Sequence, residues 1–189
     1  MAMPTRLDEV TTIEQLLALP DDGCRHELLD GVHVVTPAPA YPHQRVLREF
    51  WHPLCVALTG HETLEVLSSP ADIRLGPRRL VQPDLFVFRK EPGHLVREWR
   101  EVGVPILAIE FLSPTTAARD RGAKRRIYQR AGVAEYWIVD LDARLVERWL
   151  PDDIRPEILD EQLGWAPPEL TVPVTLDLPA IFTAALGAP

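Results

Sequence analysis

Long apolar runs are missing from this chain. No segment of its 189 residues approaches the roughly 18 consecutive apolar positions of a membrane-spanning helix, so no membrane partner is expected. Cysteine is scarce: Cys24 and Cys55 make no CxxC pair and no disulfide framework, and a reduced, cytoplasmic setting is expected. The opening MAMPTRLDEVTTIEQLLALP has no basic start leading into an apolar block, so no secretory leader is expected either. Positive charge is short as well. The net charge of −8 argues against a protein that coats nucleic acid non-specifically. GxSxG, HExxH and Walker A patterns are all absent, which removes the commonest serine-hydrolase, zinc-protease and P-loop chemistries. Cys24 and His26 flank Arg25 on an expected strand without forming any recognisable nucleophile–base motif, and a Cys–His nucleophile is set aside.

What is present is ordinary for a folded domain: 46% hydrophobic and 25% charged residues, with no repeat and no linker. One domain over residues 1–189 is expected, with its core from about 12 to 184. Thr11 with Glu14 has the spacing of a capping box before a short helix ending near Pro20. RHELLDGVHVV predicts a hairpin around Asp30-Gly31. HQRVLREFWHPLCVAL has helical spacing of apolar residues, which Pro53 must bend or interrupt. TLEVLSS, ADIRLG and VQPDLFVFR predict strands, followed by a charged loop from Glu91 to Val104. EYWIVD and RLVERWL predict a second hairpin around Leu141, Asp142 and Ala143. The proline-rich tail predicts short edge strands and a small helix near IFTAAL.

The chemistry is expected around ILAIEFLSP. Six apolar residues surround Glu110, the pattern of a strand buried on both faces, and a carboxylate there needs compensation. From Glu110 the strand runs outward about 13 Å to Pro114. The helix TAARDRGAKRRIYQRAG, capped by Thr115 or Thr116, returns about 13 Å by Lys124. An antiparallel packing of the two therefore brings Lys124 level with Glu110. Asp120, Lys124 and Tyr128 share one helix face, bordered by Ala117, Ile127 and Ala131. Asp84, opening the strand of VQPDLFVF, supplies a second carboxylate, and Glu27 in RHELLDG a third. Two carboxylates held close need a cation between them, and oxygen ligands of this kind suit Mg²⁺ or Mn²⁺.

Each signal has a plainer reading. A lone strand acid can pair with lysine for structure alone, an aspartate after proline can be a turn residue, and Asp120/Lys124 spacing can be a surface ion pair. The run 119–130 carries six cations against Asp120 alone. It reads either as a solvated helix face or as a phosphate-attracting patch.

VQPDLFVF, ILAIEFLSPTT, DRGAKRRIYQRAGV and EYWIVD, in that order, resemble the Uma-two family of restriction endonucleases, within the PD-(D/E)XK nuclease superfamily. RHELLDGVHVVTPAPAYPHQRV and PELTVPVTLDLPAIF extend the resemblance over roughly residues 12–184. It implies an α/β, restriction-endonuclease-like core: a central mixed β-sheet flanked by helices, with an N-terminal helix and β-hairpin. It implies Asp84 as the Asp of the PD motif and Glu110 as the acid of (D/E)XK. Leu112 stands where that motif's lysine would be, and Lys124 is expected to take its role. The resemblance further implies Mg²⁺ (or Mn²⁺) held by Asp84, Glu110 and the Phe111 carbonyl. Glu27, His43, Gln44, Asp120 and Tyr128 would support them, and Arg121, Arg125 and Arg126 would contact DNA. The expected activity is metal-dependent hydrolysis of DNA. The alternative is a nuclease-like fold kept as a binding or assembly module. A homodimer is expected from exposed edges and the EYWIVD hairpin, since two-fold pairing suits duplex cutting.

Overall fold

ILAIEF does become a strand, β7 (Leu107–Phe111), with every residue buried. In the computed structural model, which describes residues 10–188, it lies inside a six-stranded sheet. The leaderless start expected above falls partly on residues 1–9, outside that range. The sheet order is β10 (Glu157–Leu159), β9 (Leu145–Trp149), β8 (Glu135–Asp140), β7, β6 (Leu85–Arg89) and β3 (Leu64–Ser68). Only β7 and β8 are parallel, and the segment between them supplies the crossover that such a pair requires. The sheet is therefore mixed, as expected.

Strand alternation divides the molecule. Leu107, Ile109 and Phe111 face one way, into a core shared with α2 (Tyr41–Leu58) and α5 (Leu178–Leu186). The two-stranded sheet of β11 (Gln162–Trp165) and β12 (Val174–Asp177) closes that side. Ala108 and Leu112 face the other way, against Ile127, Tyr128 and Tyr136. Full burial of a large apolar side chain contributes roughly 1.5–3 kcal/mol, so these two layers fix the sheet between its helices. Glu110 shares the face of Ala108 and Leu112, and this is what points its carboxyl at the basic helix.

A second sheet was not foreseen. The hairpin β1 (Arg25–Leu29) and β2 (Val32–Thr36) forms around Asp30 and Gly31, both at positive φ. It pairs onward through β5 (Arg79–Val81) to β4 (Ile73–Gly76). This four-stranded sheet carries Glu27 towards the helix that crosses between β7 and β8.

Several local expectations need correction. Thr12, not Thr11, caps α1 (Ile13–Leu17), and its box partner is Gln15; Gln15 sits at the third helical position, where the reciprocal bond reaches back. Pro53 does not interrupt α2, which runs through it. The helix after Pro114 is not uniform. It opens as α3 (Ala117–Arg119), widens into a π turn (Asp120–Lys124) and continues as α4 (Arg125–Ala131). No threonine side chain caps it. EYWIVD is not at an edge, because β9 and β7 pair with both sides of β8. The edges of the large sheet are β10 and β3, so this hairpin offers β8 no free edge for a dimer contact.

Candidate active site

Asp84 ends the loop before β6, and Glu110 is the fourth residue of β7. Because β6 and β7 run antiparallel with Leu85 opposite Ile109, both acids come to the same end of adjacent strands. The crossover helix then lays Lys124 across them. Its widened turn keeps residues four apart in line, so Asp120, Lys124 and Tyr128 all point inward and are all buried.

The contacts are short. Lys124 Nζ lies 2.5 Å from Glu110 Oε1 and 2.8 Å from Glu27 Oε1. Tyr128 donates its hydroxyl to the same Glu110 oxygen at 2.8 Å. The Gln82 N–H donates to Glu27 Oε1 at 2.8 Å. Asp84 accepts from Arg25 Nη1 on Oδ1 at 2.6 Å. On Oδ2 it accepts from the Phe111 N–H at 2.9 Å and from His43 Nε2 at 3.0 Å. An extended residue sends its N–H and C=O to the same side, so the Phe111 carbonyl also lies on the Asp84 side of β7. All of these residues but Tyr128 and Gln82 line a small cleft of about 180 Å³.

Arg25 and Arg119 are cleft residues that the sequence reasoning missed. Arg119 reaches towards Asp120 Oδ1 (3.6 Å) and Glu27 Oε2 (4.0 Å). Arg25 had a readable signal: it lies two residues before Glu27 on one strand, and so on the same face. The arginines expected to meet DNA are placed elsewhere. Arg121 bridges Glu147 (2.5 Å) and Asp140 (2.7 Å), and Arg125 lies over the Trp149 ring at 4.6 Å. Both are satisfied on the β8–β9 side, away from the cleft lining. Arg126 is exposed and makes no ion pair among the described residues. Gln44 lies off the cleft, in a neighbouring cavity.

The electrostatics follow from the count of charges. Four buried carboxylates, Glu27, Asp84, Glu110 and Asp120, face Arg25, Arg119 and Lys124, with His43 as a further cation whenever it is protonated. Burial would raise the Asp84 carboxyl, but the bond and charge of His43, then Arg25 and the Phe111 N–H, hold it well below the usual range. Glu110 goes the other way. Burial, together with Asp84, Asp120 and Glu27, outweighs Lys124 and pushes it up to about 8. Burial lifts Asp120 too. Burial disfavours the Lys124 ammonium, yet Glu110, Glu27 and Asp120 overcome this and raise its pKa. The shifts of Glu110 and Lys124 imply opposite things about their shared bond. The lysine direction is the firmer, because two carboxylates lie within 2.8 Å of Nζ; the upward push on Glu110 is chiefly the cost of burying its charge.

A further cation at the site would offset the cost of burying these carboxylates. Asp120 Oδ1 is buried without a hydrogen-bond partner, and Glu110 Oε2 takes part in none of the contacts above. Among the described residues no group of three or more His, Cys, Asp or Glu side chains is arranged to hold a metal. Mg²⁺ does not need one, since it is commonly held by one or two carboxylates and keeps several waters. The oxygen donors therefore fit a hard divalent cation.

The fold is similar to a crystal structure described as "a putative nuclease belonging to DUF820", from Anabaena variabilis ATCC 29413. The TM-score is 0.78 at 20% identity, over 93% of this chain and 99% of that one. No curated protein matches the chain. The sequence profile of the Uma2 family, described as "Putative restriction endonuclease", matches residues 13–180, and the protein belongs to that family, within the PD-(D/E)XK-like nuclease superfamily.

Proposed function

We propose that this protein is a metal-dependent phosphodiesterase that cuts DNA, with one site in one domain. The observation that carries the reading is the convergence of Asp84, Glu110 and Lys124, from two adjacent strands and a helix, in one cleft lined by four buried carboxylates. Asp84, Glu110 and the Phe111 carbonyl would hold Mg²⁺ or Mn²⁺. When bound, such a cation neutralises charge on the phosphoryl oxygens and makes a water easier to deprotonate. Lys124 orients the attacking water and offsets charge as it builds on the phosphorus centre. His43 and Tyr128 fix the rotamers of Asp84 and Glu110, and Glu27 holds Lys124 from its far side. Arg25 and Arg119 are the cleft cations available to neighbouring phosphates.

Asp84→Ala, Glu110→Ala and Lys124→Ala are each expected to abolish Mg²⁺-dependent cleavage of plasmid DNA while circular dichroism remains native. Retained cutting in the first two variants refutes the proposal. A second reading, a binding or assembly module, is favoured by one observation: both Asp84 oxygens already have protein partners. Calorimetric titration separates the two. Mn²⁺ binding that Glu110→Gln removes supports the enzyme, and no binding at millimolar metal supports the module.

A further inference from the structure

A second cavity, of about 390 Å³, lies directly behind the cleft. Arg25 and Asp84, with Ala38 and Pro39, line both spaces and form the partition between them. One wall is a face of α2 carrying Gln44, Leu47 and Trp51, three and four residues apart and therefore in line. Ser68 and Ser69, at the end of β3, line it as well, with Gln82. A tryptophan and an arginine lining one cavity match a nucleotide: a ring on which a base can stack and a cation for its phosphate. The Arg25 guanidinium, half-buried in the partition, matches the phosphate attached to that base.

We propose that this cavity is a nucleotide subsite. It takes one unpaired base of the substrate against Trp51, while Arg25 binds the adjoining phosphate. A slot with one aromatic wall accepts a single base and not a stacked pair, so the preferred substrate carries an unpaired nucleotide beside the cleaved bond. Arg25 then transfers its hydrogen bond from Asp84 Oδ1 to a phosphate oxygen, which frees that carboxylate oxygen at the moment substrate arrives. The inference rests on the phosphodiesterase reading above, and deepens it.

The test is binding without turnover. Fluorescence anisotropy of a labelled single-stranded oligonucleotide is measured with Glu110→Gln protein in EDTA at low salt. An abasic nucleotide scanned along the strand is expected to weaken binding roughly tenfold at one position, the scale of one base stacked on an aromatic ring. Trp51→Leu should give the same loss with the intact strand and no further loss with the abasic one. Arg25→Gln should weaken binding and flatten its salt dependence. No measurable binding, an abasic scan without a sensitive position, additive losses, or tighter binding of a fully paired duplex each overturn the subsite. If Trp51→Leu does not fold, the abasic scan with Trp51 in place decides. Mn²⁺ titration of the otherwise native Trp51→Leu protein should match that of the native chain. A native chain that binds no Mn²⁺ overturns the phosphodiesterase reading, whereas oligonucleotide data against the subsite leave that reading standing.

Discussion

Lys124→Met removes one charge and keeps most of the side-chain length, so it isolates the role of the ammonium. Lys124 is buried and lies within 2.8 Å of both Glu27 and Glu110. Removing one partner of a buried ion pair typically costs about 3–5 kcal/mol, because the remaining charge is left uncompensated. Here two acids lose their close cation, and Asp120 loses a nearby one. At neutral pH the cost should fall within that range. It should also depend on pH, with a definite sign. In the variant Glu110, already pushed up by burial, loses its close cation and rises further, so the folded chain holds a proton that the unfolded chain releases. Stability then falls as pH rises out of the ordinary carboxyl range. The native lysine does not contribute to this window. Its pKa is raised, so its stabilisation is complete below its unfolded value and is lost only in strong alkali. Urea denaturation of both proteins at about pH 5 and about pH 8 reads the difference. The variant should lose more at the higher pH. A loss below about 1 kcal/mol, or an equal loss at both pH values, refutes the account of Lys124 as the buried counter-charge.

Other outcomes follow from the same contacts. Glu110 sits at about 8 without metal, so Mn²⁺ binding at pH 7 should release close to one proton, read by calorimetry in buffers of different ionisation enthalpy. The release should vanish well above pH 8, and a pH-independent value contradicts the assignment. Tyr128→Phe removes the hydroxyl donated to Glu110; it should cost about 1.5–3 kcal/mol in denaturation and push the Glu110 carboxyl higher. Arg121→Ala breaks a partly exposed bridge to Asp140 and Glu147; it should cost at most about 1 kcal/mol and leave DNA affinity unchanged, whereas Arg119→Ala should weaken it.

Much of the arrangement was legible in the sequence because it depends on short-range rules. Alternation along ILAIEF placed Glu110 opposite the face of Phe111, and rise per residue placed Lys124 beside it. Those are properties of single elements. Pairings between elements distant in sequence were not legible. Nothing in RHELL announces that β1 joins β5, and that pairing is what carries Arg25 and Glu27 into the cleft. The partners of the crossover-helix arginines were hidden for a related reason. The periodicity of these arginines shows that they point outward, but not that Glu147, Asp140 and Trp149 wait on neighbouring strands to engage Arg121 and Arg125. The π turn was hidden as well, since Gly122 weakens a helix without declaring how it widens.

An anomalous difference map from a manganese-soaked crystal tests the central claim most directly. The account predicts a peak between Asp84 and Glu110, on the side of the free Glu110 Oε2, with the Arg25–Asp84 bond lengthened or broken. A clean map at that position, with Arg25 still on Asp84 and Lys124 still bridging the two glutamates, contradicts it.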